Sequence, residues 1–167
     1  MKAPVVVFAV GNPSRGDDAL GPELARLLSA WLQGEGLAGQ VEIVEDFQLN
    51  IEHALDLQGR KLALFIDAGE NTPAPFQFRR IARSAIPSHS THALPPEAVL
   101  QVYWQMESVE APPAFLLCVR GESFALGQPL SSAAAANLEA ARECLVAVLR
   151  SVDLGEWEVL ADACAIA

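Results

Sequence analysis

Apolar residues along this chain follow two rhythms. Val5 to Val10 and Leu62 to Ile66 are unbroken apolar runs bounded by turn residues, as expected of strands covered on both faces. Ala114 to Arg120 reads as a further core strand, and Val41 to Glu45 as a shorter one. Between them the period changes. Leu20, Leu24, Leu27, Leu28, Trp31 and Leu32 recur at helical spacing, with Pro22 tolerated in the first turn. Leu138, Ala141, Leu145, Val148 and Leu149 form a second stripe, over a helix of about residues 132 to 150 capped by Ser131. Pro96 opens a helix to about Met106, and Asn50 can cap a short one over Ile51 to Leu57.

Phe76 to Ile81 alternates like a half-exposed strand, which suits an antiparallel edge. Residues 83 to 96 hold three prolines, serines and two histidines with few large apolar side chains, and read as a long functional loop. The tail, residues 152 to 167, shows no assignable period. Strands alternating with helices predict one α/β layer sandwich with a mostly parallel sheet, spanning residues 1 to 167 as a single domain. In such sheets ligands collect outside the carboxyl ends of the strands.

Composition narrows the function. At 51% hydrophobic residues the chain can bury a full core, yet none of its apolar runs approaches the roughly 20 residues of a bilayer span. Met1-Lys2-Ala3-Pro4 leads straight into a strand, so no leader peptide is expected and the expected location is the cytoplasm. A formal charge of −10 repels phosphate backbones and anionic membranes, which argues against both as partners. Cys118, Cys144 and Cys164 are distant in sequence and set among apolar residues, and are expected to be buried thiols outside any zinc or disulfide framework.

The chemistry concentrates after the first strand. Gly11-Asn12-Pro13-Ser14-Arg15-Gly16-Asp17-Asp18 is a tight loop delivering two carboxylates to a helix start. A phosphate loop would need Gly-Lys-Ser/Thr where Gly16-Asp17-Asp18 stands, and the glycines at 11, 16 and 21 do not fit G-x-G-x-x-G. Two uses of the aspartates remain: both cap the helix, or one caps while the other projects across the loop. Asp67 ends the buried strand Leu62 to Ile66, where a carboxylate is costly unless hydrogen-bonded, paired or bound to a cation. His92 or His89 could add a nitrogen donor from the long loop. Two oxygens and one imidazole suit a borderline divalent ion such as zinc or nickel. No nucleophile elbow G-x-S-x-G is present, and Ser123 reads as a loop hydroxyl. His53 reads as a surface or packing residue with a lesser claim to substrate contact.

Taken together these segments resemble the hydrogenase maturation endopeptidases, which trim the C-terminal extension of [NiFe] hydrogenase large subunits. Gly11-Asn12-Pro13-Ser14-Arg15-Gly16-Asp17-Asp18-Ala19-Leu20-Gly21 is similar to that family's G-N-x-x-x-x-D-[DE]-x-x-G signature. Phe65-Ile66-Asp67-Ala68 resembles its second acidic strand end, and Ser90-Thr91-His92-Ala93-Leu94 its histidine loop. The resemblance implies a twisted five-stranded sheet with helices on both faces, and a catalytic, metal-contacting trio of Asp18, Asp67 and His92. Where many members carry Asp-Gly-Gly-Thr, this chain has Asp46 to Leu55. That variant, with Gly121 to Gly127, resembles the branch serving cytoplasmic NAD-reducing hydrogenases.

The resulting expectation is an aspartyl-type, nickel-recognising endopeptidase acting as a monomer on a hydrogenase large-subunit precursor. Nickel would arrive in the precursor, and zinc or cadmium could replace it in a crystal. Either metal polarisation of the scissile carbonyl or activation of a bound water would serve. A non-cleaving, metal-dependent chaperone for the same precursor is the alternative, and a small α/β hydrolase of another substrate class a third.

Overall fold

The computed structural model describes residues 2–86 and 93–164. Five strands, β1 (Val5–Val10), β2 (Val41–Asp46), β3 (Leu62–Gly69), β4 (Phe76–Ile81) and β5 (Ala114–Arg120), form one sheet in the order β2-β1-β3-β5-β4. All neighbours pair in parallel except β4, which runs antiparallel to β5 at the edge. Four helices, α1 (Leu20–Gly34), α2 (Pro96–Glu107), α3 (Ser132–Leu149) and α4 (Leu154–Cys164), and two 3-10 turns, Gly16–Ala19 and Ile51–Leu57, are the other elements among the described residues. The architecture is the three-layer sandwich that the alternation of strands and helices and the family likeness together predict.

Strand alternation divides the core in two. Val5 and Val7 of β1 and Leu62, Leu64 and Ile66 of β3 face Leu20, Leu24, Leu28 and Leu32 of α1 together with α3 and α4. Val6, Phe8 and Val10, with Ala63 and Phe65, face α2 and the 51–57 turn. Every residue of β1 is buried because both faces are covered, which is why its sequence shows no polar alternation. Phe8 stacks on Phe65 at 4.7 Å between ring centres, and Phe115 meets the edge of Trp157 at 5.3 Å.

Two helix starts match the capping read from the sequence. Ser131 Oγ accepts the Ala134 amide, and Asn50 Oδ1 accepts the Glu52 amide. The tail left without a period contains α4, held by fully buried Trp157, whose Nε1 donates to the Ser151 carbonyl at 2.9 Å. Trp157 and Ala161 are buried, Leu154, Leu160 and Cys164 pack beside them, and Val159 is exposed. The three cysteines are free and half-buried rather than buried. Cys144 on α3 and Cys164 on α4 are neighbours where the helices meet, and both pack against the edge of the core. Burial, with Cys164 alongside, pushes the Cys144 thiol up to about 12. No helix among the described residues is long and apolar enough to cross a membrane.

Candidate active site

From β1 the chain passes through α1 to β2 on one side, then returns to β3 on the other side of β1. This reversal opens a crevice beyond the carboxyl ends of β1 and β3, the position where open α/β sheets bind ligands. A depression of about 420 Å³ lies there, lined by Val10, Asp18, Phe47, Gln48, Asp67, Ala68, Glu70, Ala93 and Phe124.

The two adjacent aspartates diverge. Asp17 is fully buried and turned toward the far end of the chain. Its Oδ2 accepts the amides of Glu122 (2.7 Å) and Ser123 (3.0 Å) and the Ser131 hydroxyl (2.7 Å), while Oδ1 accepts the Ser131 amide (2.7 Å). Burial alone would raise its pKa, but these four bonds outweigh that cost and hold the carboxyl below its ordinary 3.8. Asp17 therefore ties the 3-10 turn to the 121–131 loop and the start of α3. Ser123, the loop hydroxyl of the sequence reading, contributes its amide to this tie.

Asp18 lines the depression, and its Oδ2 accepts the Asn12 amide at 2.8 Å. Gly11 makes this arrangement possible: its φ is +150°, and a Cβ there would lie 2.0 Å from the Asp18 carbonyl oxygen. Gly21 allows a second close approach, since a Cβ there would lie 2.3 Å from the Val10 carbonyl oxygen. The glycines of the opening motif are thus packing requirements of the turn that carries Asp18.

Asp67, at the end of β3, accepts the Ala68 amide through Oδ1 at 2.8 Å. Burial raises its pKa to about 6; the Ala68 bond pulls the other way, and the nearby Asp18 charge adds to the rise. Two carboxylates from adjacent strand ends therefore share one partly desolvated site and repel one another. A cation is the ligand that would offset both costs.

His92 and His89 lie outside the described residues. Ala93, bonded to His92, lines the depression, and the Leu94 amide donates to the Leu49 carbonyl at 3.0 Å. Among the described residues no group of three or more His, Cys, Asp and Glu side chains is arranged to hold a metal ion. The described part of the site thus supplies the Asp18 and Asp67 carboxylates, with Glu70 on the same lining. His53 is a packing residue: it is buried, accepts the Asn50 amide through Nδ1 at 2.9 Å, places Nε2 3.4 Å from Asp46 Oδ2 and packs edge-on to Phe8.

Sequence reasoning missed Glu70, Phe47, Gln48 and Phe124 as lining residues, and the part played by Asp17. Phe47 and Gln48 follow β2 directly, so the rule that ligands gather beyond strand ends already pointed to them. Asp17 had no such signal, because its partners lie 105 to 114 residues away.

No protein-family model matches the sequence, and no curated protein matches it by sequence. Solved structures do match by fold. The chain is similar to a [NiFe] hydrogenase maturation protease, HycI, from Thermococcus kodakarensis KOD1, with a TM-score of 0.67, 21% identity and coverage of 90% of this chain and 94% of that one. It is similar to the hydrogenase maturating endopeptidase HybD from E. coli, with a TM-score of 0.66, 22% identity and coverage of 90% and 93%. An endopeptidase from Escherichia coli, solved in solution, matches with a TM-score of 0.66, 25% identity and coverage of 90% and 93%. The chain has the α/β fold of the hydrogenase maturation endopeptidases over nearly its whole length, as the motif resemblance implied.

Proposed function

We propose that this chain is an endopeptidase that removes the C-terminal extension from the large-subunit precursor of a [NiFe] hydrogenase. The observation that carries the reading is the convergence of Asp18 and Asp67 on one depression at the β1/β3 reversal, within the fold shared with the maturation proteases. Nickel belongs to the substrate in this reading. It enters with the precursor and meets Asp18 and Asp67, with His92 as the third donor.

The chemistry follows from the carboxylate pair. Above about pH 6 Asp67 is an anion beside a second anion, so cation binding is favoured and any proton still on Asp67 is released as it binds. The ionised Asp67 can then ligate nickel or accept a proton from an attacking water, and neither role needs a protein nucleophile. The depression is rimmed by exposed Phe47 and Gln48, which suits a chain segment of a protein substrate. The finer assignment, to the branch serving cytoplasmic NAD-reducing hydrogenases, is supported by the segments Asp46 to Leu55 and Gly121 to Gly127.

The test is processing of nickel-loaded precursor by wild type, Asp67→Ala and His92→Ala. Wild type should shorten the precursor and both variants should fail. Wild-type rates from both variants would overturn the trio, and an uncut precursor with wild type would overturn the peptidase reading.

A further inference from the structure

Cys144 and Cys164 stand 20 residues apart in the chain, yet the fold makes their thiols neighbours. We infer that they form a reversible disulfide that pins α4 to α3, made and broken by exchange with small thiols and disulfides.

Helical spacing puts both sulfurs on a shared seam. On α4, Leu154, Trp157, Ala161 and Cys164 recur at three- and four-residue steps, so Cys164 continues the face that carries fully buried Trp157. On α3, Cys144 lies three residues beyond buried Ala141 and four before buried Val148, on the flank of the core stripe. Both cysteines pack against the cluster that contains Ala141, Leu145, Val148, Trp157 and Ala161. The joint between the helices is braced as well. Trp157 Nε1 donates to the Ser151 carbonyl at 2.9 Å, and the Trp157 and Glu156 amides donate to the Asp153 carbonyl and carboxylate. Two adjacent thiols on braced helices meet the first requirement of a disulfide, that the sulfurs start close together. Cys118 is apart from them: it sits on β5, its Sγ 2.9 Å from Thr72 Oγ1, and packs against the core on the α2 side of the sheet.

The exchange balances with a low-molecular-weight disulfide such as oxidised glutathione. The Cys164 thiolate, in the last turn of α4, attacks one of its sulfurs and releases a thiolate, leaving a mixed disulfide. The Cys144 thiolate then attacks the Cys164 sulfur and releases the second thiolate. Each cysteine gives up one proton and each released thiolate takes one up, so two cysteines are oxidised and one small disulfide is reduced. Cys164 is the entry sulfur because burial, with Cys164 alongside, pushes the Cys144 thiol up to about 12. The share of that rise owed to Cys164 is gone once Cys164 carries the adduct.

The bond would close a hairpin that is already anchored at both ends. Ser131 ties the start of α3 to Asp17, and α4 is held to the sheet by the Arg80–Glu158 pair and by Trp157 against Phe115. Cross-linking removes freedom from the unfolded chain, so the oxidised protein is the more heat-stable form.

The experiment incubates the folded full chain with oxidised glutathione and reads intact mass, linked peptides and Tm, before and after dithiothreitol. The expected product has lost two hydrogens and yields a peptide pair joining Cys144 to Cys164, with Cys118 still free. Its Tm should be higher by about 5 °C or more, and dithiothreitol should reverse the shift. Cys144→Ser, checked as folded by its own melt, should stop at one glutathione adduct on Cys164. Free thiols at both positions in treated wild type, a glutathione adduct as its end product, or a link to Cys118 or to a second chain would overturn the pairing. A Cys144–Cys164 link with unchanged or lower Tm would overturn the pin.

Discussion

Asp17 accepts both the amide and the hydroxyl of Ser131, each at 2.7 Å, and through this pair the turn after β1 is fastened to the start of α3. The residue beside it, Asp18, faces the opposite way into the depression. One carboxylate sets the frame, and its neighbour is presented by it.

Asp17→Asn should therefore damage stability first. An amide side chain keeps one acceptor oxygen and sets an NH2 against donors, leaving buried amides unpaired at a cost of about 2–4 kcal/mol. Urea unfolding at pH 7 reads this loss. Because the folded pKa of Asp17 lies below its ordinary 3.8, its contribution is present above that value and disappears as pH falls through the lower folded value. The difference between wild type and variant should shrink in that acid range.

Asp67 has the opposite sign. Its folded pKa of about 6 exceeds the ordinary 3.8, so the folded state binds the extra proton between these values and stability falls as pH rises from about 4 to 6. Asp67→Asn removes this slope and should be more stable than wild type at pH 8 by roughly 1–2 kcal/mol. Denaturant melts across pH 4 to 8 check it, and parallel profiles for the two proteins would contradict it.

Gly11→Ala should lower Tm and activity together. A methyl group 2.0 Å from the Asp18 carbonyl forces the turn to shift, at a φ that alanine rarely adopts. Gly34→Ala is the matched control: its Cβ would meet nothing within 4 Å at the end of α1, and the change should leave Tm equal or slightly higher.

Trp157→Ala should cost about 3–5 kcal/mol by emptying a fully buried site beside Phe115, despite its place in the C-terminal helix. Calorimetric unfolding measures it.

The layers and most strand positions were legible in the chain because β1 and β3 are unbroken apolar runs and α1 has a clean stripe at Leu20, Leu24, Leu28 and Leu32. β4 was legible as an edge from the alternation of Phe76, Gln77, Phe78 and Arg79, although Ile81 is buried on the face opposite Phe78, so the alternation does not run to the end of the strand. α4 was not, because its stripe of Leu154, Trp157, Ala161 and Cys164 mixes small and half-buried residues with one large one. At the site, Asp67 announced itself by ending an apolar strand. The sequence pointed to at least one aspartate capping the helix, but neither caps α1: Asp18 projects into the depression, and Asp17 instead binds amides more than 100 residues away, contacts that no local pattern encodes. The exposure of Ile51 and Leu55 was hidden for a related reason: they look like core residues until the turn is seen to bury Ala54 and Leu57 instead.

The most direct measurement is the intact mass of nickel-loaded precursor after incubation with wild type, Asp18→Asn or Asp67→Asn, each verified as folded by circular dichroism. Wild type should convert the precursor to the mass lacking its C-terminal extension, and both variants should leave the full mass. Conversion by both variants at the wild-type rate would contradict the role given to the carboxylate pair.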